Sequence, residues 1–374
     1  MRGPVAQPIV IAAGGTGGHF FPAEALAAEL VARGYRIVLM TDARSGALSS
    51  AVFAGREQFV LRGAGIAGRG GWRAAKAVAA MTAGVFQARG ILSRLGAGCV
   101  VGFGGYPCVA PVLATSLLRR RPPVILQEQN AVLGRANRFL ARRAHVLALG
   151  FEKTARVPPG TATAVTGNPV RPAISALAET GYAAATDRIQ LLVLGGSLGA
   201  RVFSDVVPPA LGSLPDGLRA RLCVVQQVRQ EDMQRVKAAY AANGISAELS
   251  SFFPDVAARL AVAHLVIARA GASTVAELAV AGRPAILVPL PGAIDDHQSA
   301  NARALAQAGG AWVMPQPRFT PATLAGRLSD LLGEPGALAA ASAAARTQAR
   351  ADAASLLADL VERQMATVKT GEHA

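Results

Sequence analysis

Short apolar runs recur along the chain, each broken by glycine or polar residues and followed by a stretch in which apolar positions repeat at helical spacing. Ile9 to Ala12 runs into Gly14-Gly15-Thr16-Gly17-Gly18-His19, after which Leu26, Leu30 and Val31 recur behind Pro22. An uninterrupted apolar run of this length predicts a strand buried on both faces, as in a parallel sheet, and the periodic stretch predicts the helix that covers it. By the same rule residues 36–40, 99–101, 124–126 and 146–149 are strands, residues 59–61 a candidate strand, and residues 22–33, 72–95 and 108–118 helices. The pattern restarts at 189–194, which meets a further glycine turn, Gly195-Gly196-Ser197-Leu198-Gly199-Ala200. Strands at 222–225, 265–268 and 285–288 follow, with helices near 230–242, 273–281, 298–308 and 321–332. An Ala-rich end, 336–368, is one or two helices without identifiable chemistry.

Between the two series, residues 150–187 change character, with Pro158-Pro159-Gly160 and Gly167-Asn168-Pro169 marking turns. The expected fold class is therefore α/β, with two doubly wound Rossmann-like domains facing across a cleft. Their expected bounds are 1–165 and 188–345, joined by a crossing at 166–187, with 346–374 a C-terminal helix able to pack back on the first domain.

Composition narrows the function classes. The chain has 374 residues, 52% hydrophobic and 16% charged, enough for two cores and unlike a disordered chain. Three distant cysteines show neither disulfide nor zinc spacing, which favours a reducing compartment. No apolar run reaches the ~18 residues of a spanning helix, and the N-terminus lacks a signal-peptide pattern. The net charge of +15 is lopsided: residues 1–170 hold 20 Lys+Arg against 6 Asp+Glu, the remainder 18 against 17. That asymmetry assigns an anionic partner, nucleic acid or an acidic membrane surface, to the first half.

Three glycine turns that open helices, at 14–18, 102–105 and 195–199, can cradle phosphate or sugar through free N–H groups and the helix dipole. None has dinucleotide or P-loop spacing. His19 sits where a strand gives way to a helix, an address for catalysis in such folds.

The ordered set Gly14–His19, Gly102–Pro107, Glu128-Gln129-Asn130, Gly167–Arg171, Gly195–Ala200, Ala276-Glu277-Leu278, and Asp295-Asp296-His297-Gln298 with Asn301 closely resembles the MurG family over nearly the whole chain. The resemblance implies a GT-B fold and an inverting, metal-independent transfer of GlcNAc from UDP-GlcNAc to the C4 hydroxyl of MurNAc in undecaprenyl-diphospho-MurNAc-pentapeptide (lipid I), giving lipid II for peptidoglycan. It implies no cofactor, since UDP-GlcNAc is a substrate, and peripheral residence on the cytoplasmic face of the bacterial inner membrane. Other cell-wall synthesis proteins are further candidate partners, and nucleic acid is not one.

For the catalytic role the candidates are His19, whose residue type titrates near neutrality, and Glu128. Two readings of His19 stand: general base, or acceptor-binding group in a transition state that needs no strong base. Donor binding is expected at Thr16, Gly17, Gly18, Asn130, Arg171, Ser197, Phe253, Glu277, His297 and Gln298. Within that set Glu277 would meet the ribose, Ser197 and Arg171 the leaving diphosphate, and the backbone near Phe252-Phe253 the uracil. Gly14, Gly15, Gly104, Gly105 and Tyr106 form the acceptor and phosphate loops. No metal ligand is expected, because adjacent Asp295 and Asp296 point in different directions in any regular structure.

The chain departs from the family pattern at Gln127 in place of histidine, at Leu198 in place of glutamine, and at Gln226–Arg229 in place of His-Gln-x-Gly. Gln127 cannot titrate. A docking patch is expected from Trp72, Met81, Val85 and Phe86 with Arg69, Arg73, Lys76 and Arg89, against the alternative that these apolar residues face the core. Competing functions are another GT-B lipid glycosyltransferase, a nicotinamide or flavin dehydrogenase with Asp42 as the ribose acid, and a basic nucleic-acid-binding protein.

Overall fold

A computed structural model describes residues 7–14, 17–42, 50–62, 71–196, 199–334 and 336–371, the side chains of 71–76 and 368–371 excepted. The chain divides into two compact units, residues 1–171 with 352–374, and residues 172–351.

In the first unit β1 (Ile9–Ala12), β2 (Ile37–Thr41), β3 (Gln58–Val60), β4 (Cys99–Gly102), β5 (Val124–Glu128), β6 (Val146–Leu149) and β7 (Thr163–Val165) form one sheet. Their order is β3-β2-β1-β4-β5-β6-β7, every pairing parallel. Helices α1 (Gly17–Ala32), α2 (Gly71–Leu95), α3 (Val109–Thr115) and α4 (Arg135–Leu140) connect the strands. Ile9 and Ile11 face one core with Leu26 and Leu30 of α1; Val10 and Ala12 face another with Leu92 of α2 and Leu140 of α4. Burial on both faces explains why the central strands read as unbroken apolar runs.

The second unit begins with the short α5 (Pro172–Ser175). Its six parallel strands are β8 (Ile189–Leu194), β9 (Leu222–Gln227), β10 (Ser246–Ser250), β11 (Leu265–Ala268), β12 (Ala285–Leu287) and β13 (Ala311–Val313), ordered β10-β9-β8-β11-β12-β13. Helices α6 (Arg201–Gly212), α7 (Asp216–Arg219), α8 (Met233–Ala242), α9 (Val256–Val262), α10 (Ala272–Ala281), α11 (His297–Gln307), α12 (Pro321–Gly333) and α13 (Ala337–Arg346) complete it. The last helix, α14 (Ala353–Gly371), packs on α1 of the first unit.

Two Rossmann-like sheets agree with the expected fold class. The α1 helix starts at Gly17 rather than near Pro22, so Pro22 lies inside it and His19 occupies its first turn. In each unit the order reverses beside the first strand, β1 against β4 and β8 against β11. Such switch points open crevices at the carboxyl ends of the strands, where ligands bind in open α/β sheets.

Candidate functional site

At the first unit's switch point three strand ends contribute side chains and a fourth contributes a backbone carbonyl. His19, half-buried, places Nδ1 3.0 Å from Gln129 Oε1 just past β5. Gln129 Nε2 donates to Phe103 O after β4 at 3.0 Å, and also to Gln127 Oε1. Gln127 Nε2 donates to Asn168 Oδ1 at 3.0 Å, and Asn168 Nδ2, beyond β7, returns to Gln129 O at 2.7 Å. Gln127, Gln129 and Asn168 are all buried, so a set of neutral amides closes on itself behind the imidazole.

Gly104 and Gly105 flank that ring at φ +77° and +66°, a backbone region that glycine enters without strain. A Cβ on Gly104 would lie 3.6 Å from His19 Cε1, and one on Gly105 3.6 Å from His19 Nε2. These glycines therefore serve the turn and keep the Nε2 edge uncovered. Tyr106 follows them in a single 3-10 turn ahead of α3. Cys108 closes the turn by donating Sγ–H to Gly105 O at 3.1 Å, and burial pushes its thiol up to about 12.

Glu128 lies on the other side of β5. Oε1 accepts from Asn130 N at 2.9 Å and Asn130 Nδ2 at 3.0 Å; Oε2 accepts from Gly134 N at 2.8 Å and Asn137 Nδ2 at 2.9 Å. The carboxylate ties the 130–134 loop and α4 to the strand. Arg171 stacks over Phe21 of α1 at 5.1 Å, in the same unit as His19, Gly17, Gly18 and Asn130.

In the second unit Gly195 has room for nothing larger: a Cβ there would meet Ala200 N at 2.4 Å. Gln227, from the end of β9, clamps this turn by accepting from Gly195 N at 3.1 Å and donating to Gly196 O at 3.0 Å. Arg229 donates to Gly199 O at 3.3 Å, bringing a guanidinium to the turn where the family pattern has glycine. The sequence reading assigned neither residue a part in the site. Gln227 is matched to the family segment, and the signal for Arg229 was the departure itself.

Glu277 is half-buried on α10, which starts at the carboxyl end of β11. Asp295 and Asp296 take left-handed φ of 57° and 53° immediately before α11, a strained pair of the kind that gathers at ligand sites. They deliver His297 and Gln298 in the helix's first turn. His297 Nδ1 donates to Ile294 O at 2.7 Å, which leaves Nε2 as the ring's acceptor. Gln298 Oε1 accepts from Leu290 N at 2.9 Å. Arg269 holds the same loop from below, donating to Val288 O at 3.1 Å and Pro289 O at 3.2 Å; burial lowers its pKa.

Phe253 is covered by the Arg259 guanidinium at 4.1 Å, whereas Phe252 is 68% exposed. The expectation at Thr16, Gly15 and Ser197, like Leu198, lies outside the described residues, and Gly14 is buried at the end of β1. Among the described residues no group of three or more His, Cys, Asp or Glu is placed to hold a metal ion.

Of the expected docking patch, Met81 and Val85 are partly buried and pack against the core. Phe86 remains exposed, joined by Val78 two helical turns earlier, and Arg89 follows on the same helix. Trp72, Arg73 and Lys76 have no described side chains, and Arg69 lies outside the described residues. Among the described residues no helix is long and apolar enough to cross a membrane.

Comparison with known proteins gives a consistent result. Residues 9–148 match the glycosyltransferase family 28 N-terminal domain and residues 190–357 its C-terminal domain. A UDP-N-acetylglucosamine--N-acetylmuramyl-(pentapeptide) pyrophosphoryl-undecaprenol N-acetylglucosamine transferase of Granulibacter bethesdensis is 64% identical over 98% of this chain and 96% of its own. Its namesake in Acidiphilium cryptum is 55% identical over 96% and 98%. The crystal structure of MurG from Acinetobacter baumannii superposes with a TM-score of 0.77 at 31% identity, covering 95% of this chain and 99% of that one.

Proposed function

This chain belongs to the MurG family within glycosyltransferase family 28, and we infer from that membership the reaction it performs. It transfers GlcNAc from UDP-GlcNAc to undecaprenyl-diphospho-MurNAc-pentapeptide in peptidoglycan synthesis, by inversion at the sugar's anomeric carbon. The acceptor C4 hydroxyl attacks as the bond to UDP breaks; its proton must leave, and negative charge collects on the diphosphate.

The observation that carries the chemical assignment is His19 at the switch point of β1 and β4, with its Nε2 edge kept clear by Gly104 and Gly105. His19 takes the hydroxyl proton, a role worth roughly 10²–10⁴ in rate. The donor lies against the Gly195–Ala200 turn, Glu277, His297 and Gln298, with Arg229 adding a cation near the diphosphate. Phe253 contributes through its backbone, since its ring is occupied by Arg259. Charge on the leaving group is met by turn amides and guanidinium groups, and no resident cofactor takes part.

With the lipid-linked acceptor and UDP-GlcNAc, His19→Ala is expected to lower kcat by about 10²-fold or more while UDP still raises the melting temperature. Wild-type turnover in that variant would remove the base role and leave His19 a binding group.

The enzyme works on the cytoplasmic face of the inner membrane, docked by the basic first unit on anionic lipid. Val78 and Phe86 enter the interface, and each nearby arginine adds roughly 1 kcal/mol. Flotation with anionic vesicles should weaken for Val78→Glu, Phe86→Glu and Arg89→Glu and with rising salt. Flotation unaffected by both would place the contact elsewhere.

A further inference from the structure

We propose that Gln129 is a positioning residue that fixes the tautomer of His19, so that the imidazole presents an unprotonated Nε2 to the acceptor hydroxyl. The proposal rests on the reading of His19 as the base and says what makes it one.

The direction of every hydrogen bond behind the ring follows from groups that can only accept. Phe103 O is a backbone carbonyl, so the side-chain atom of Gln129 that reaches it at 3.0 Å is the NH₂ nitrogen. The other atom of that amide, Oε1, therefore faces His19 and must receive a proton, which places hydrogen on Nδ1. The amide is held from both sides. Gln127 Oε1 accepts from Gln129 Nε2, Gln127 Nε2 donates to Asn168 Oδ1, and Asn168 Nδ2 is anchored on Gln129 O. Rotation of Gln129 would set Nε2 against the ring and the oxygen against Phe103 O, stranding a buried acceptor pair at about 1–3 kcal/mol per unmet group.

With Nδ1 protonated, the neutral ring carries its lone pair on Nε2, the edge that Gly104 and Gly105 leave uncovered. A general base needs this form. The support that reaches the ring is made of the amides of Gln129, Gln127 and Asn168, groups that do not titrate. Titratable neighbours on the packed elements are Cys108 in the 105–108 turn, buried Asp42 directly after β2, the strand that contacts that turn, Arg171 over Phe21, and Glu128 on the opposite side of β5. Gln127, where the family pattern has histidine, belongs to this network: its amide both accepts from Gln129 and donates to Asn168.

Three measurements test the assignment. In protein carrying ¹⁵N-histidine, the His19 resonances should report hydrogen on Nδ1 and a bare Nε2 in the neutral form. Gln129→Met keeps the volume and removes the acceptor. It should drop kcat by about 10- to 100-fold with KM for UDP-GlcNAc nearly unchanged, and shift His19 toward the Nε2–H form that free histidine favours. Gln129→Glu keeps an acceptor toward Nδ1 and adds charge, though its second oxygen then faces Phe103 O and Gln127 Oε1 and costs stability. In the folded variant the imidazolium is stabilised and the acidic limb of the kcat–pH profile moves to higher pH. Nε2–H in the wild type, or an unchanged kcat and pH profile in both variants, overturns the proposal. If the variants do not fold, the wild-type tautomer alone decides. Failure of the base reading is separate: it appears as wild-type turnover of His19→Ala, whatever tautomer the ring adopts.

Discussion

Glu128 and Gln129 are neighbours in sequence with opposite surroundings, because successive side chains at a strand end point to opposite sides. Gln127 and Gln129 share the side of α1 and His19; Glu128 faces α4 and accepts four hydrogen bonds. Glu128→Ala leaves those donors without an acceptor in a site only 2% exposed, and is expected to cost about 3 kcal/mol of stability. Thermal unfolding checks this; an unchanged melting temperature with a large fall in kcat would instead give Glu128 a part in proton transfer. The sequence made Glu128 and His19 visible as titratable letters beside glycine turns. It hid Gln129, since glutamine in a polar cluster has no chemical signature until the strand's alternation places it behind the imidazole. Arg229 was hidden for another reason: its relation to Gly199 exists only once β8 and β9 are paired.

At the level of elements, the two sheets share a device at strand entries. His145 precedes β6, donates its own N–H to Val124 O at 2.8 Å, and accepts Val124 N–H on Nδ1 at 3.0 Å. His264 precedes β11 and does the same with Gln190, at 2.9 Å and 2.8 Å. A backbone N–H can only donate, so both rings are neutral at Nδ1. Burial lowers both pKa values, and the Arg283 guanidinium lowers that of His264 further. The unfolded chain therefore binds more protons just below the ordinary histidine value near 6.5, and stability falls as pH drops through the folded-state values. A melting temperature that declines from about pH 7 to 5, and declines less in His145→Asn/His264→Asn, is the expected result. Identical profiles for the two proteins would exclude these histidines as the cause. Central strands were legible as buried apolar runs, whereas β7, β10 and β13 were not. All three are edge strands: Thr163 and Val165 are exposed in the first, Ser246 and Glu248 in the second, and β13 is only three residues long and partly buried at Trp312 and Val313.

On the scale of the whole molecule, the chain's last helix belongs to its first unit. Leu357, Ala358, Leu360 and Val361 of α14 are buried in one core with Ile9, Ile11, Leu26 and Leu30. The amphipathic spacing of 353–361 announces a helix able to pack back on the first domain; the residues it meets there become visible only in the fold. The contact that selects α1 is electrostatic as well as apolar. Arg33 meets Asp359 at 2.6 Å and Glu362 at 3.2 Å, and Ser355 Oγ accepts from it at 2.8 Å; these acids raise the guanidinium's pKa. Exposed pairs contribute little, so Arg33→Ala should cost only about 1 kcal/mol. Ending the chain at Ala351 is a different matter. It strips three large apolar side chains from the core, about 6 kcal/mol by burial, comparable to the whole stability of a domain. Calorimetry of that shortened chain should show the first unit's transition lost, while a transition that UDP raises survives from residues 172–351. The second unit would survive because its sheet and the helices α5 to α13 lie entirely within those residues. Two intact transitions in the shortened chain would mean that α14 covers the first unit without holding it folded.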